Sequence, residues 1–291
     1  MLSILFLSLI QRSAARRRWL FGQLFETIAR RTGHIEDWTF MNYGYAEPTR
    51  LKTCPLAPQE EAERYCAQLY HHVVGNVDLD GKDVLEVSCG RGGGAAYLRR
   101  HFSPRIVTGI DIAPAAIAFC RRVHRMPGLC FIQGDAEALP VFDRSCDVVV
   151  NVEASSLYGD IARFFAEVER VLRPGGVFLY ADLCSTEDMA GLRTALAGSG
   201  LQVVGEEDIA ANVYLGLELD AVRRAAAVRH IVPWPLRGPA NVFVGAPGTR
   251  YPVRLGSGRL GYWFFLLRKP ALASSFGDRP QEAAIETLAL T

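Results

Sequence analysis

The chain has 291 residues, 49% of them hydrophobic, with 32 basic and 31 acidic side chains for a net charge of +1. That length and apolar content suit one large core, or a core with a sizeable elaboration, in one or two domains. Near-neutral charge leaves no general attraction to nucleic acid or to an acidic membrane surface, so a small molecule is the expected partner.

The opening MLSILFLSLI is apolar, but positive charge follows it instead of preceding it, and it is too short to span a bilayer. It reads as the start of a helix packed on the body, with no membrane insertion expected. Residues 1–58 mix arginines with aromatics and end in Pro48, Pro55 and Pro58, which places helices and an ordered loop outside any sheet, as an N-terminal lid. From 59 to 208, short β-branched or apolar runs at 84–87, 106–112, 130–133, 147–152 and 177–181 alternate with helix-length segments at 95–101, 115–124 and 161–172. This alternation predicts an α/β fold whose parallel sheet is covered on both faces. Residues 209–240, alanine-rich and helical in pattern, read as an insertion forming a second lid. Residues 241–270 read as the last strands of the core, with a final strand at 262–268, and 271–291 as a weakly ordered tail. Seven cysteines, without CxxC or metal-ligand spacing, read as reduced core residues of a cytoplasmic protein, and no metal is expected.

The stretch DVLEVSCGRGGGAAYL (83–98) runs from an apolar strand into four glycines and a helix-compatible tail. Gly90, Gly92 and Ala95 nearly match the GxGxxG/A pattern, in which glycines make a tight turn and admit a phosphate to a helix N-terminus. Alone the match also fits a turn with no ligand, and the absence of GKT or GKS excludes a P-loop. Two acids add to it. Asp111 ends the second predicted strand, where a carboxylate could accept from both hydroxyls of a ribose; Asp135 ends the third, where one could meet an exocyclic adenine amine. With Glu86 in the first strand they form a constellation at the ligand-binding edge of an open α/β sheet.

The ordered series VLEVSCGRGGG, VTGIDIAP, FIQGDAEALP, CDVVVNVEA and RVLRPGGVFLYAD resembles the class I S-adenosylmethionine-dependent methyltransferases. The resemblance implies a Rossmann-like, seven-stranded, mostly parallel sheet with an antiparallel last strand. It implies that Glu86, Gly90 and Gly92 border the methionine part of S-adenosylmethionine, Asp111 holds the ribose, Ile112 flanks the adenine, and Asp135 and Ala136 lie by the adenine amine. Ser88, at a position commonly glycine, and Asn151 complete the cofactor candidates. TrpThrPheMetAsnTyrGlyTyr (38–45), AsnValGluAlaSer (151–155) and the PheValGly…GlyTyrTrpPhe ending are further similar to actinobacterial methyltransferases of polyketide-derived lipids, including the phthiotriol and phenolphthiotriol dimycocerosate enzymes. That similarity implies that Tyr43 and Gly44 belong to a lid over the cofactor.

Methyl transfer is an in-line displacement at an activated carbon, so positioning can supply roughly 7–11 kcal/mol, and a general base matters most when the accepting hydroxyl is a weak acid. The narrower family often reads GluAlaSerHis after the fourth strand, its histidine being the natural base. Here Ser156 stands in that place. Glu153 is the nearest substitute, and His230 or His34 could reach in from the lid-like segments. Trp38, Phe40, Tyr43, Tyr45, Tyr214, Leu215, Leu217, Ile231 and Trp234 either wall a pocket for a hydrophobic substrate or pack the two lids together. The expected activity is O-methylation of a hydrophobic polyketide or polyketide-like product. C-methylation and a methyltransferase-like cyclase that transfers no methyl stay open, as does a homodimer.

Overall fold

The structure is a computed structural model that describes residues 14–49, 54–75, 77–232, 234 and 237–271. The apolar decapeptide and the segment after 271, on which two sequence expectations fall, lie outside the described residues.

Seven strands form one sheet: β1 (Asp83–Val87), β2 (Ile106–Asp111), β3 (Leu129–Gln133), β4 (Cys146–Val152), β5 (Leu172–Ser185), β6 (Gln202–Asp208) and β7 (Leu260–Arg268). Their order is β3-β2-β1-β4-β5-β7-β6. Strands β1 to β5 pair in parallel, and β7 runs antiparallel between β5 and β6. The direction of winding reverses between β1 and β4, and in such sheets the crevice at the strands' carboxyl ends is the binding position.

Alternation along each buried strand feeds two cores. Val84, Val148 and Val150 face one layer, with Leu69 and Val73 of the helix Arg64–Val74; Leu85 and Val149 face the other, with Phe164, Phe165 and Val168 of the helix Ile161–Val171. Phe164 and Phe165 are both fully buried, and burial of a phenylalanine contributes roughly 1.5–3 kcal/mol. That helix begins where Asp160 accepts from the Arg163 amide at 3.0 Å, and it ends where ArgProGlyGly enters β5 as an irregularity in the β4–β5 register.

Three sequence expectations are corrected. Strand β6 was not foreseen, because GlnValValGlyGluGluAsp lies mostly exposed on the sheet edge and lacks the apolar run of a buried strand. The region assigned to final strands, 241–270, contributes only β7. Helices Arg237–Phe243 and Arg250–Gly256 continue the insertion begun by Ala210–Leu219 and Ala221–Ile231, and Phe243 packs against Phe25 and accepts from Tyr43 Oη at its carbonyl instead of joining the sheet. Among the cysteines, Cys130 is exposed instead of buried. No helix among the described residues is long and apolar enough to cross a membrane.

Candidate active site

β1 leaves the sheet through three left-handed residues within five: Ser88 (φ 59°), Gly90 (φ 54°) and Gly92 (φ 77°). A Cβ at Gly92 would come within 2.9 Å of Cys120, His124 and Phe131, so glycine is required there for space as well as conformation. Ser88 adopts a conformation costing an L-residue roughly 1–2 kcal/mol, and its Oγ meets Tyr158 Oη at 2.6 Å. Asp111 braces the turn: Oδ2 accepts from the Gly90 amide and Oδ1 from the Ala113 amide, each at 2.9 Å. Burial pushes the Asp111 carboxyl up to about 6.

Beside the turn, Glu86 is buried at the end of β1, and its Oε1 accepts from Tyr70 Oη at 2.5 Å. Burial raises this carboxyl to about 7. Asn151 is buried on β4, donating through Nδ2 to Val87 O and Tyr158 Oη, both at 2.9 Å. Glu86 Oε2 and Asn151 Oδ1 are buried without a hydrogen-bond partner. Desolvated acceptors left in this state are costly, and they mark where a donor is missing.

The adenine-side candidates lie under the helix Ala14–Thr32. Arg18 Nη1 stands 3.2 Å from Asp135 Oδ2 and 3.2 Å from Glu137 Oε2. Glu26 Oε2 accepts from the Ala115 amide at 2.9 Å. Ile112 is 38% exposed and Ala136 is buried.

The chain then crosses the turn in extended form. Gly93 donates to Thr39 O at 3.1 Å, and a Cβ at Gly90 would lie 3.2 Å from Met41 Sδ. Arg91, from within the glycine turn and 1% exposed, holds this crossing by donating to Trp38 O (2.5 Å), Ile35 O (2.5 Å) and Thr32 Oγ1 (2.9 Å). Its guanidinium also lies 3.7 Å from the Phe119 ring centroid, and burial lowers it to about 10.

A second corner forms where β4 ends. Glu153 is left-handed (φ 51°), an unusual state for a non-glycine residue and one that clusters at functional sites. Its Oε1 accepts from the Tyr43 amide at 2.7 Å and from Tyr262 Oη at 2.9 Å. Among the described residues no hydrogen bond reaches Oε2. Burial pushes the Glu153 carboxyl up to about 8, with the nearby Asp182 adding to the shift. Asp182, buried at the end of β5, accepts at Oδ2 from Ser155 Oγ (2.6 Å) and the Ser156 amide (3.1 Å). Arg224 ties the insertion to this corner, donating to Asn42 O at 2.9 Å and to Val244 O at 3.1 Å.

The structure thus gathers Glu86, Ser88, Gly90, Gly92, Asp111 and Asn151 around the turn, and Tyr43 with Glu153. Gly44 (φ 85°) packs on Tyr65 and donates its amide to Asn42 Oδ1, so it shapes the crossing segment. His230 and His34 are exposed and are not drawn into the corner; Ser156 is exposed and engages Asp182 through its backbone. Of the aromatic candidates, Phe40 and Tyr45 pack inward against Tyr70 and His72, which makes them core. Tyr70, Tyr158, Asp182, Tyr262 and Arg91 were not singled out from sequence; only Asp182 carried a signal, an acid closing a further strand.

The chain's residues 85–180 match the methyltransferase domain family. Together with its relatives, this shows that the chain belongs to the class I S-adenosylmethionine-dependent methyltransferases and is an enzyme of that kind. It is 40% identical over 257 residues, 88% of this chain and 94% of the relative, to the phthiotriol/phenolphthiotriol dimycocerosates methyltransferase of Mycobacterium tuberculosis. It is 41% identical over 236 residues, 81% of this chain and 85% of the relative, to a fatty-acid O-methyltransferase of Mycolicibacterium smegmatis. Among solved structures, the [4+2]-cyclase SpnF aligns with a TM-score of 0.66 at 18% identity over 87% of this chain and 96% of that one. Geranyl diphosphate C-methyltransferase from Streptomyces coelicolor aligns with a TM-score of 0.62 at 15% identity, over 87% and 97%. Both likenesses are of fold.

Proposed function

We propose that the chain transfers a methyl group to a hydroxyl oxygen of a hydrophobic, polyketide-like lipid, with Glu153 accepting the hydroxyl proton. Bound S-adenosylmethionine supplies a carbon activated for in-line displacement, and the chain holds the hydroxyl in line and receives its proton.

The cofactor fits the residues present. Glu86 Oε2 and Asn151 Oδ1 are unpartnered buried acceptors suited to the donors of an amino-acid ammonium. Asp111 is the acceptor for the ribose hydroxyls, Ile112 flanks the adenine, and Asp135, which shares Arg18, and Ala136 lie by the adenine amine. Ser88, Gly90 and Gly92 keep the backbone low, and Tyr43 and Gly44 belong to the segment that closes over it.

The observation that carries the reading is Glu153. A base is most effective when its pKa lies near the working pH, and this carboxyl is raised to about 8. Tyr43 and Tyr262 fix one oxygen and leave the other for a substrate proton. Ser156 in the histidine place is then no obstacle. The lipid class is supported by the relatives, which are described as dimycocerosate and fatty-acid methyltransferases, and by apolar lid residues such as Leu217.

Incubation with methyl-labelled S-adenosylmethionine and hydroxylated polyketide lipids, followed by mass analysis, tests the reading. Gain of one labelled methyl on oxygen is expected. Label on carbon would replace it with C-methylation, and an isomer of unchanged mass with cyclisation.

A further inference from the structure

The glycine run has four members, and the cofactor reading above uses Gly90 and Gly92. Gly93 and Gly94 are not left-handed. They open the helix Gly93–His101, whose first turn would be firmer with alanine, so their use lies in what a side chain would strike. A Cβ at Gly93 would come within 2.7 Å of Thr39 O and 2.9 Å of Phe40 Cγ, in the segment that crosses the turn. A Cβ at Gly94 would overlap both Tyr70 Cε1 and Glu86 Oε1. The fourth glycine is thus the space in which Tyr70 meets Glu86.

Tyr70 comes from outside the sheet, on the helix Arg64–Val74, and is buried. Its Oη donates to Glu86 Oε1 at 2.5 Å, and its ring lies 5.8 Å from that of Phe40. This single bond does two things to a carboxylate that is 1% exposed. It ties up Oε1 and fixes the carboxyl plane, so that Oε2, which is buried without a partner, is the acceptor left over. It also favours the ionised form, opposing the rise that burial imposes on Glu86. A fixed, ionised acceptor is what an ammonium donor requires.

We propose that Tyr70 is a positioning residue for the cofactor's amino-acid end: acting through Glu86, in the space left by Gly94, it holds Oε2 toward the ammonium and so sets the preference for ligands that carry one. The inference rests on the placement of the methionine ammonium at Glu86, and it adds a requirement for the phenol hydroxyl that the glycine motif alone does not carry.

The test compares calorimetric Kd values of S-adenosylhomocysteine and of its deaminated analogue, in which hydrogen replaces the ammonium, for the full chain and for Tyr70→Phe, Glu86→Gln and the double variant. Phenylalanine keeps the ring against Phe40 and removes only the hydroxyl. Tyr70→Phe is expected to weaken S-adenosylhomocysteine about tenfold and the deaminated analogue less than twofold, a selectivity that a merely structural role would not produce. In the Glu86→Gln background the same change should weaken S-adenosylhomocysteine less than twofold, because the effect runs through the carboxylate. Equal weakening of both ligands, no weakening of either, or an undiminished effect in the Glu86→Gln background would overturn the role of Tyr70. If Glu86→Gln itself leaves the ratio of the two affinities unchanged, the ammonium placement fails and the inference with it. If Glu86→Gln narrows that ratio while Tyr70→Phe does not, the placement stands and only the Tyr70 inference falls.

Discussion

The glycine turn and the Glu153 corner sit at the ends of neighbouring strands, β1 and β4, yet the chain builds them in opposite ways. At the turn, Gly90 is braced by Asp111, 21 residues on, and Glu86 is held by Tyr70, 16 residues back. At the corner, Glu153 receives its donors from Tyr43 and Tyr262, 110 and 109 residues away. A cofactor common to a whole class is met by compact, repeating backbone features. The Glu153 corner is held instead by a backbone amide from the N-terminal segment and a hydroxyl from the last strand, distant positions where sequence can change without disturbing the glycine turn.

If the two regions divide the work this way, substitutions should separate turnover from cofactor affinity. Glu153→Gln, which keeps the acceptor for Tyr43 and Tyr262, should lower kcat by about 10²–10⁴ and leave the calorimetric Kd for S-adenosylmethionine within twofold. A matching loss of cofactor affinity would merge the two regions. Asp111→Ala should do the reverse, weakening cofactor binding by roughly 10- to 100-fold through loss of charged hydrogen bonds with little change in kcat at saturation. Because burial holds Asp111 near 6, and its ionised form is the better acceptor, affinity in the unaltered protein should rise as pH increases through about 6. An affinity independent of pH between 5 and 7 would remove the ribose assignment.

Smaller effects probe how the crossing segment joins the turn. Arg91→Met removes the donors to Thr32, Ile35 and Trp38, and should lower stability by about 1–3 kcal/mol while speeding proteolysis between residues 32 and 40. Unchanged proteolysis would mean that the crossing is held by other contacts. At Ser88, replacement by alanine keeps the backbone strain but loses the Tyr158 contact, for about 1 kcal/mol of destabilisation; glycine relieves the strain and should fall within about 0.5 kcal/mol of the parent. Denaturant midpoints at constant m-value distinguish these outcomes.

Much of this division follows from what a linear pattern can carry. Strands β1, β2, β4 and β5 lie inside the sheet, and β3 at one edge still carries an apolar run; β6, at the other edge, is mostly exposed and does not. Residues 241–256 look strand-like locally, but they fold as helices, one packed on Ala221–Ile231 with Phe243 against Phe25, the other packed on Ala210–Leu219 and on β7. Asp111 and Asp135 could be found because each closes a strand near a glycine motif. The importance of Tyr262 could not, since nothing around it in sequence indicates that its hydroxyl ends 2.9 Å from Glu153. The left-handed backbone at Glu153 is likewise a tertiary fact that the linear pattern does not carry.

The pH dependence of labelled methyl transfer at saturating cofactor and lipid tests the central claim most directly. With Glu153 raised to about 8 and active only when ionised, kcat should climb tenfold per pH unit below that value and level off above it, and Glu153→Gln should abolish the rise. A flat profile, or the same rise in the glutamine variant, would contradict the assignment of Glu153 as the group that takes the proton.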